Sequence, residues 1–168
     1  MREYSSLFDE RGSAYDRAMR LYPMAREQEF AQVLVRAIIK PGLIVADVPA
    51  GGGYLRHFLP ADCTWWGHEP CASFQLNAQE ESRKAMPHSP LLPLPWPDDS
   101  VDVALCIAGA HHMEDKRCLF RELHRVVKPG GRFVLSDVPV DSAVAHFLDG
   151  YVGDNNSTGH TGFFLFAD

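Results

Sequence analysis

VADVPAGGG, residues Val45 to Gly53, reads as a buried strand running into a bend that carries no side chains. Leu43 to Val48 is an apolar run with one acid in it, Asp47. A short, continuous apolar run bounded by turn residues is the pattern of a strand buried on both faces. Gly51, Gly52 and Gly53 follow, and then an aromatic and apolar stretch that opens a helix. Glycine lets backbone N–H groups come close to a ligand at such a bend. In a doubly wound sheet the first strand-to-helix turn is where adenine-bearing cofactors bind.

Outward from that stretch the chain alternates. Residues 3–20 have a moderately amphipathic helical pattern. Residues 24–40 have a sharper one, with Phe30, Val33, Leu34, Ala37 and Ile38 on one face. Pro41-Gly42 stops that helix. After the glycines come a short helix at Tyr54–Leu59, a second strand at Thr64–His68 and a helix over 71–85. Met86–Pro97 is irregular, with at most a short third strand near Leu91. Val101–Ala108 is an uninterrupted apolar strand, the fourth. Asp115–Val127 is a helix that turns Leu119, Phe120, Leu123, Val126 and Val127 inward, and Pro129-Gly130-Gly131 ends it. Arg132–Val138 is strand five. The remainder has room for a helix at Ser142–Gly150 and one strand at Gly162–Phe166. The pattern is α/β: a doubly wound, Rossmann-like, mostly parallel sheet with helices on both faces and its C-terminal strands incomplete.

With 168 residues, 46% apolar and 23% charged, the chain is expected to be a single ordinary globular domain. No run of eighteen apolar residues exists, so no membrane span is expected. The start, MREYSSLFDERGSAYDR, lacks the apolar core of a secretory signal, and a cytoplasmic location is expected. Net charge is −6 and the basic residues are scattered. A phosphate-tracking surface needs clustered Lys and Arg, so nucleic acid is not an expected partner. Cys63, Cys71, Cys106 and Cys118 form no CxxC pair and read as thiols of a reducing compartment, not as a zinc site.

Three further features bear on chemistry. Pro49 makes the turn D-x-P-x-G-x-G, which departs from the dinucleotide pattern G-x-G-x-x-G. Glu69 ends the second strand, 22 residues after Asp47. A carboxylate there can accept hydrogen bonds from both hydroxyls of a ribose. His111 and His112 follow the fourth strand, at the carboxyl end of a strand beside the first, where open α/β sheets hold ligands. Either histidine could serve as a base, bind metal or cap the turn. Adjacent residues are expected to point apart, so no shared metal is expected. LHRVVKPGGRFVLSDV, Leu123 to Val138, reads as purely architectural.

The glycine turn, Glu69, LPWPDDSVDVALC with the AHH turn, and ELHRVVKPGGRFVLSD come in the order found in a known family. As a set they resemble the class I S-adenosylmethionine-dependent methyltransferases. The match is best to the small-molecule branch that includes ubiquinone and menaquinone biosynthesis. The resemblance covers about Phe8 to Val138. It implies methyl transfer from S-adenosylmethionine to a small organic acceptor. Asp47, Pro49, Ala50, Gly51 and Gly53 would surround the methionine part. Glu69 and Pro70 would lie at the ribose, Leu91 and Leu92 at the adenine, and Ile107 and Ala108 beneath the sulfonium. His111 or His112 would be the base if the acceptor must lose a proton. Residues 1–40 would form a helical lid, with Tyr15 and Tyr22 as closing aromatics, over a core at 41–138 and a shortened part at 139–168. The fold's usual strand order, 3-2-1-4-5-7-6, would lack a member, leaving an open edge for a homodimer partner. The alternative is a non-catalytic cofactor-binding or interaction protein on the same scaffold. An NAD(P)-dependent oxidoreductase is a third reading, and the proline in the turn argues against it.

Overall fold

The computed structural model describes the backbone of residues 4–74, 90–155 and 162–166, and their side chains except at 4–7, 9, 10 and 155. Strands β1 (Ile44–Asp47), β2 (Thr64–Gly67), β3 (Val101–Ile107) and β4 (Val127–Ser136) form one sheet. Its order is β2-β1-β3-β4 and every pairing is parallel. Parallel neighbours need crossover segments, and these put a packed layer on each face. On one face Ala46, Val48, Ala104 and Cys106 meet Leu119, Leu123 and Val126 of helix α3 (Arg117–Val126). On the other, Val45, Val103 and Leu105 meet Phe30, Val33 and Ala37 of helix α2 (Glu27–Ala37). Helix α1 (Tyr4–Leu21) precedes both, and α4 (Ala143–His146) runs on into a π-type turn (Phe147–Val152) and Gly153–Asn155.

The irregular LPLPWPDD segment is tied down by α3. Arg125 donates to the carbonyls of Leu94 and Trp96 and to Asp98, while Glu122 accepts the Leu94 N–H. Those bonds satisfy backbone groups that a proline-rich loop cannot pair in a sheet.

Several expected elements differ in the structure. The helix at Tyr54–Leu59 is a 3-10 turn, Tyr54–Phe58. Ile38 is not an inward residue of α2 but its left-handed cap, with φ 52° and 46% exposure. Leu91 is in a bend and makes no strand, and residues 75–89 lie outside the described part. Pairing in β4 begins at Val127, opposite Val101, and shifts register before Arg132 meets Val103. The Pro129-Gly130-Gly131 turn is therefore an irregularity inside the strand instead of its start. The expected strand at Gly162–Phe166 makes a single parallel bridge, Leu165 to Pro139. Among the described residues β4 is a sheet edge, and its Phe133 is 39% exposed.

Candidate active site

A cleft of about 800 Å³ opens beyond the carboxyl ends of β1 and β3. That size is within the range that holds a small molecule, roughly 300–1,000 Å³. Asp47, Pro49, Ala50 and Gly51 line it from β1, and Ile107, Ala108, His111 and His112 from β3. The other walls are Phe8 and Tyr15 of α1, Arg26 and Glu29 at the start of α2, and Val144, Leu148 and Val152 near the C-terminus. Among the other expected site residues, Gly53, Glu69 and Pro70 are buried behind the turn and do not line the cleft. Leu91 and Leu92 pack partly buried against the α3-side core. Of the two expected lid aromatics, Tyr15 lines the cleft, whereas Tyr22 is 69% exposed and away from it. The sequence also allows His160 and Asn155 as pocket-lining residues, or equally as parts of a polar loop; His160 and the Asn155 side chain lie outside the described residues.

Asp47 is the last residue of β1 and only 3% exposed. Burial pushes its carboxyl up to about 7, with the Trp65 hydrogen bond and the Arg26 charge opposing and the Glu69 charge adding. Trp65 Nε1 donates to Asp47 Oδ2 at 3.3 Å, a contact set by the β1–β2 pairing. Arg26 makes a two-pronged pair with Glu29, 2.7 Å on each arm, and donates to the Tyr15 hydroxyl at 3.0 Å. A buried carboxylate beside a held guanidinium offers a place for a group carrying both an ammonium and a carboxylate. The sequence reading missed Arg26; its only local trace is the i, i+3 spacing to Glu29.

The turn is a tight cradle. Gly51 has φ +54°, in the left-handed region that suits glycine. Its N–H donates to Glu69 Oε2 at 2.8 Å, and the Cys71 N–H donates to Oε1 at 2.8 Å. Glu69 is 0% exposed. Helix α1 seals this side: Ser73 Oγ donates to the Phe8 carbonyl, and a Cβ on Gly12 would fall 2.0 Å from that Oγ. Pro49, at the usual glycine position, is accommodated by Gly109, where a Cβ would stand 2.4 Å from the Pro49 ring. Gly109→Ala is therefore expected to shift the whole β3 turn and to cost about 1–3 kcal/mol. Urea unfolding measures that, and an unchanged midpoint would show the contact to be slack.

After β3, Ala108 takes a left-handed φ of 52° and the chain turns through Ala110–His112. His111 is 4% exposed, and its Nδ1 lies 2.6 Å from Asp137 Oδ1. Asp137 Oδ2 accepts the N–H groups of Ala110 and His111, and Oδ1 also accepts that of Val138. Burial works to raise the Asp137 carboxyl, but the His111 hydrogen bond and charge and these N–H donors hold it below its ordinary value. Two expectations are corrected here. Leu123–Val138 is not purely architectural, because Asp137 follows β4 directly and orients a cleft histidine. The two histidine rings do not point apart; their centroids are 4.0 Å from each other. Among the described residues no group of three or more His, Cys, Asp or Glu is placed to hold a metal ion.

Residues 46–135 match a family described as "Methyltransferase domain". The chain is 31% identical to a demethylmenaquinone methyltransferase of Clavibacter sepedonicus, over 80% of this chain and 58% of the relative. It is 34% identical to an uncharacterized methyltransferase of Bacillus subtilis, over 62% of this chain and 45% of the relative. The chain thus spans about half the length of these two relatives. A SAM-dependent methyltransferase structure from Thermotoga maritima superposes with a TM-score of 0.74 at 17% identity, covering 98% of this chain and 75% of that one. At that identity the likeness is one of fold.

Proposed function

The chain belongs to the methyltransferase domain family, and on that premise we propose that it moves a methyl group from S-adenosylmethionine to a small organic acceptor. The observation that carries this reading is the donor set at the mouth of β1. Asp47, Arg26 and the open Gly51 cradle suit the ammonium, carboxylate and backbone of an amino-acid tail. Pro49, Ile107 and Ala108 give the apolar surroundings suited to the sulfonium end. When bound, the cofactor supplies an electrophilic methyl group and leaves as a neutral thioether. The protein's task is to hold the acceptor in line and keep water out.

The nucleoside half is closed as it stands. Glu69 would take the ribose hydroxyls once 71–74 and α1 draw back from it, which agrees with the N-terminal helices acting as a lid over a core at 41–138. The expected adenine contacts, Leu91 and Leu92, border residues outside the described part. Among the described residues no helix is long and apolar enough to cross a membrane. Four free cysteines suit a reducing cytoplasm. The exposed β4 edge, with Phe133 on it, and Phe166 at 80% exposure support pairing with a second copy.

Purified protein incubated with methyl-labelled S-adenosylmethionine and a panel of quinol, phenol and amine acceptors is expected to pass label to at least one. Saturable binding of S-adenosylhomocysteine with no transfer to any acceptor would favour a non-catalytic binding protein. Quenching by NADH with no response to S-adenosylhomocysteine would favour the oxidoreductase reading.

A further inference from the structure

Building on the methyl-transfer reading, we propose that Trp65 is a positioning residue for the cofactor. Its indole braces the glycine turn from behind and fixes the Asp47 carboxylate where the cofactor's ammonium would sit. Trp65 lies on β2, an edge strand of the sheet among the described residues. It pairs with Val45, and Gly67 pairs with Asp47. Residues two apart on a strand share a face, so all four face the α2 side with Val45.

The indole reaches Asp47 by crossing Gly67. A Cβ on Gly67 would stand 2.2 Å from Trp65 Cζ2, so any other residue there would block the path. The same ring then meets Gly53, where a Cβ would stand 3.2 Å from Cη2. Gly53 opens the Tyr54–Phe58 turn at a left-handed φ of 76°. Its missing side chain therefore seats the indole, although it does not line the cleft. The Arg56 guanidinium lies 5.9 Å from the ring centre, within cation–π reach.

Phenylalanine would cover this sheet edge as well, but the indole also carries an N–H to Asp47 Oδ2, at 3.3 Å. Such a donor favours the ionised carboxyl, which is the form that holds an ammonium. The ionisable groups around Asp47 are Arg26 at the start of α2, Glu69 after β2 and Cys106 of β3. Burial keeps the Cys106 thiol protonated, and Glu69 accepts the Gly51 and Cys71 N–H groups. Against the burial of Asp47 stand the indole and the Arg26 charge, and the indole is the one hydrogen-bonded to it.

Carbon-13 NMR of the Asp47 carboxyl in the ligand-free protein follows its titration. Trp65→Phe removes the donor, and Gly67→Ala drives the indole from its path. Each should lower the ionisation constant of Asp47 by about tenfold. Calorimetry should show S-adenosylhomocysteine affinity at neutral pH falling about tenfold in each. The pH below which that binding is lost should rise with the carboxyl, which a loss of packing alone would not cause. In the wild type, the Trp65 indole N–H resonance should move as pH passes about 7. Those of Trp66 and Trp96, packed together on the opposite face, should stay still. Gly67→Ala keeps the indole and decides alone if Trp65→Phe does not fold. An Asp47 titration that neither variant moves, or a Trp65 resonance that ignores pH, overturns the proposal and leaves the methyltransferase reading standing. Wild-type protein that fails to bind S-adenosylhomocysteine overturns both.

Discussion

Asp47→Asn is expected to make the ligand-free protein more stable at neutral pH and above, and to weaken cofactor binding under the same conditions. The Asp47 carboxyl titrates near 7 in the folded protein against 3.8 for an ordinary aspartate, with burial the largest cause. The folded state therefore holds a proton that the unfolded state has lost throughout that interval. Stability from this group is fully present below about 4 and is lost as pH rises through 7. Above that the folded protein carries a buried charge at a cost on the order of a few kcal/mol. Asparagine keeps an oxygen for the Trp65 indole and removes the charge, so its unfolding curve should lose that slope. The same carboxylate is what a cationic amine would seek, and losing a charged hydrogen bond costs about 1.5–3 kcal/mol, or roughly 10- to 100-fold in affinity. Urea unfolding across this pH interval and calorimetric titration with S-adenosylhomocysteine read the two effects. Parallel pH curves for variant and wild type would remove Asp47 from the account.

Gly51→Leu is expected to abolish cofactor binding while the protein still folds. Among the described residues a Cβ at Gly51 meets Tyr54 alone, at an ordinary 3.7 Å, so a longer side chain extends into the cleft. The left-handed φ of +54° costs a non-glycine residue about 1–2 kcal/mol, which a domain with two apolar layers can absorb. Filling the cradle displaces the ligand itself, and a loss of at least about 100-fold in affinity is expected. Equal affinity for variant and wild type would place the ligand elsewhere.

Much of this was legible because it is local. The apolar runs of β1 and β3, the glycine turn between them and the apolar face of α3 are written in consecutive residues. Asp47, Gly51 and His111 could be placed at the cleft because a parallel sheet brings strand ends together. What the sequence hid was non-local. Asp137 acquires its role only through a contact 26 positions back, at His111, and nothing in LSDV marks it. Arg26 reaches the cleft one turn before Phe30, on the same face of α2, where the periodicity marked only apolar residues. The start of β4 was misplaced because Pro129-Gly130-Gly131 is the usual sign of a turn, yet Val127 pairs with Val101 before it. Glu69 was expected to be open to a ribose, and it is instead bound by the Gly51 and Cys71 N–H groups under a seated α1. Its sequence position could not show that cover.

A crystal structure of the protein soaked with S-adenosylhomocysteine bears most directly on the claim that this cleft is built for an adenosyl group bearing an amino-acid tail. The expected density puts the tail between Asp47, Arg26 and Gly51, with the ribose hydroxyls on Glu69 and α1 drawn away from Ser73. Density in any other place, or a cleft left empty at saturating ligand, would contradict it.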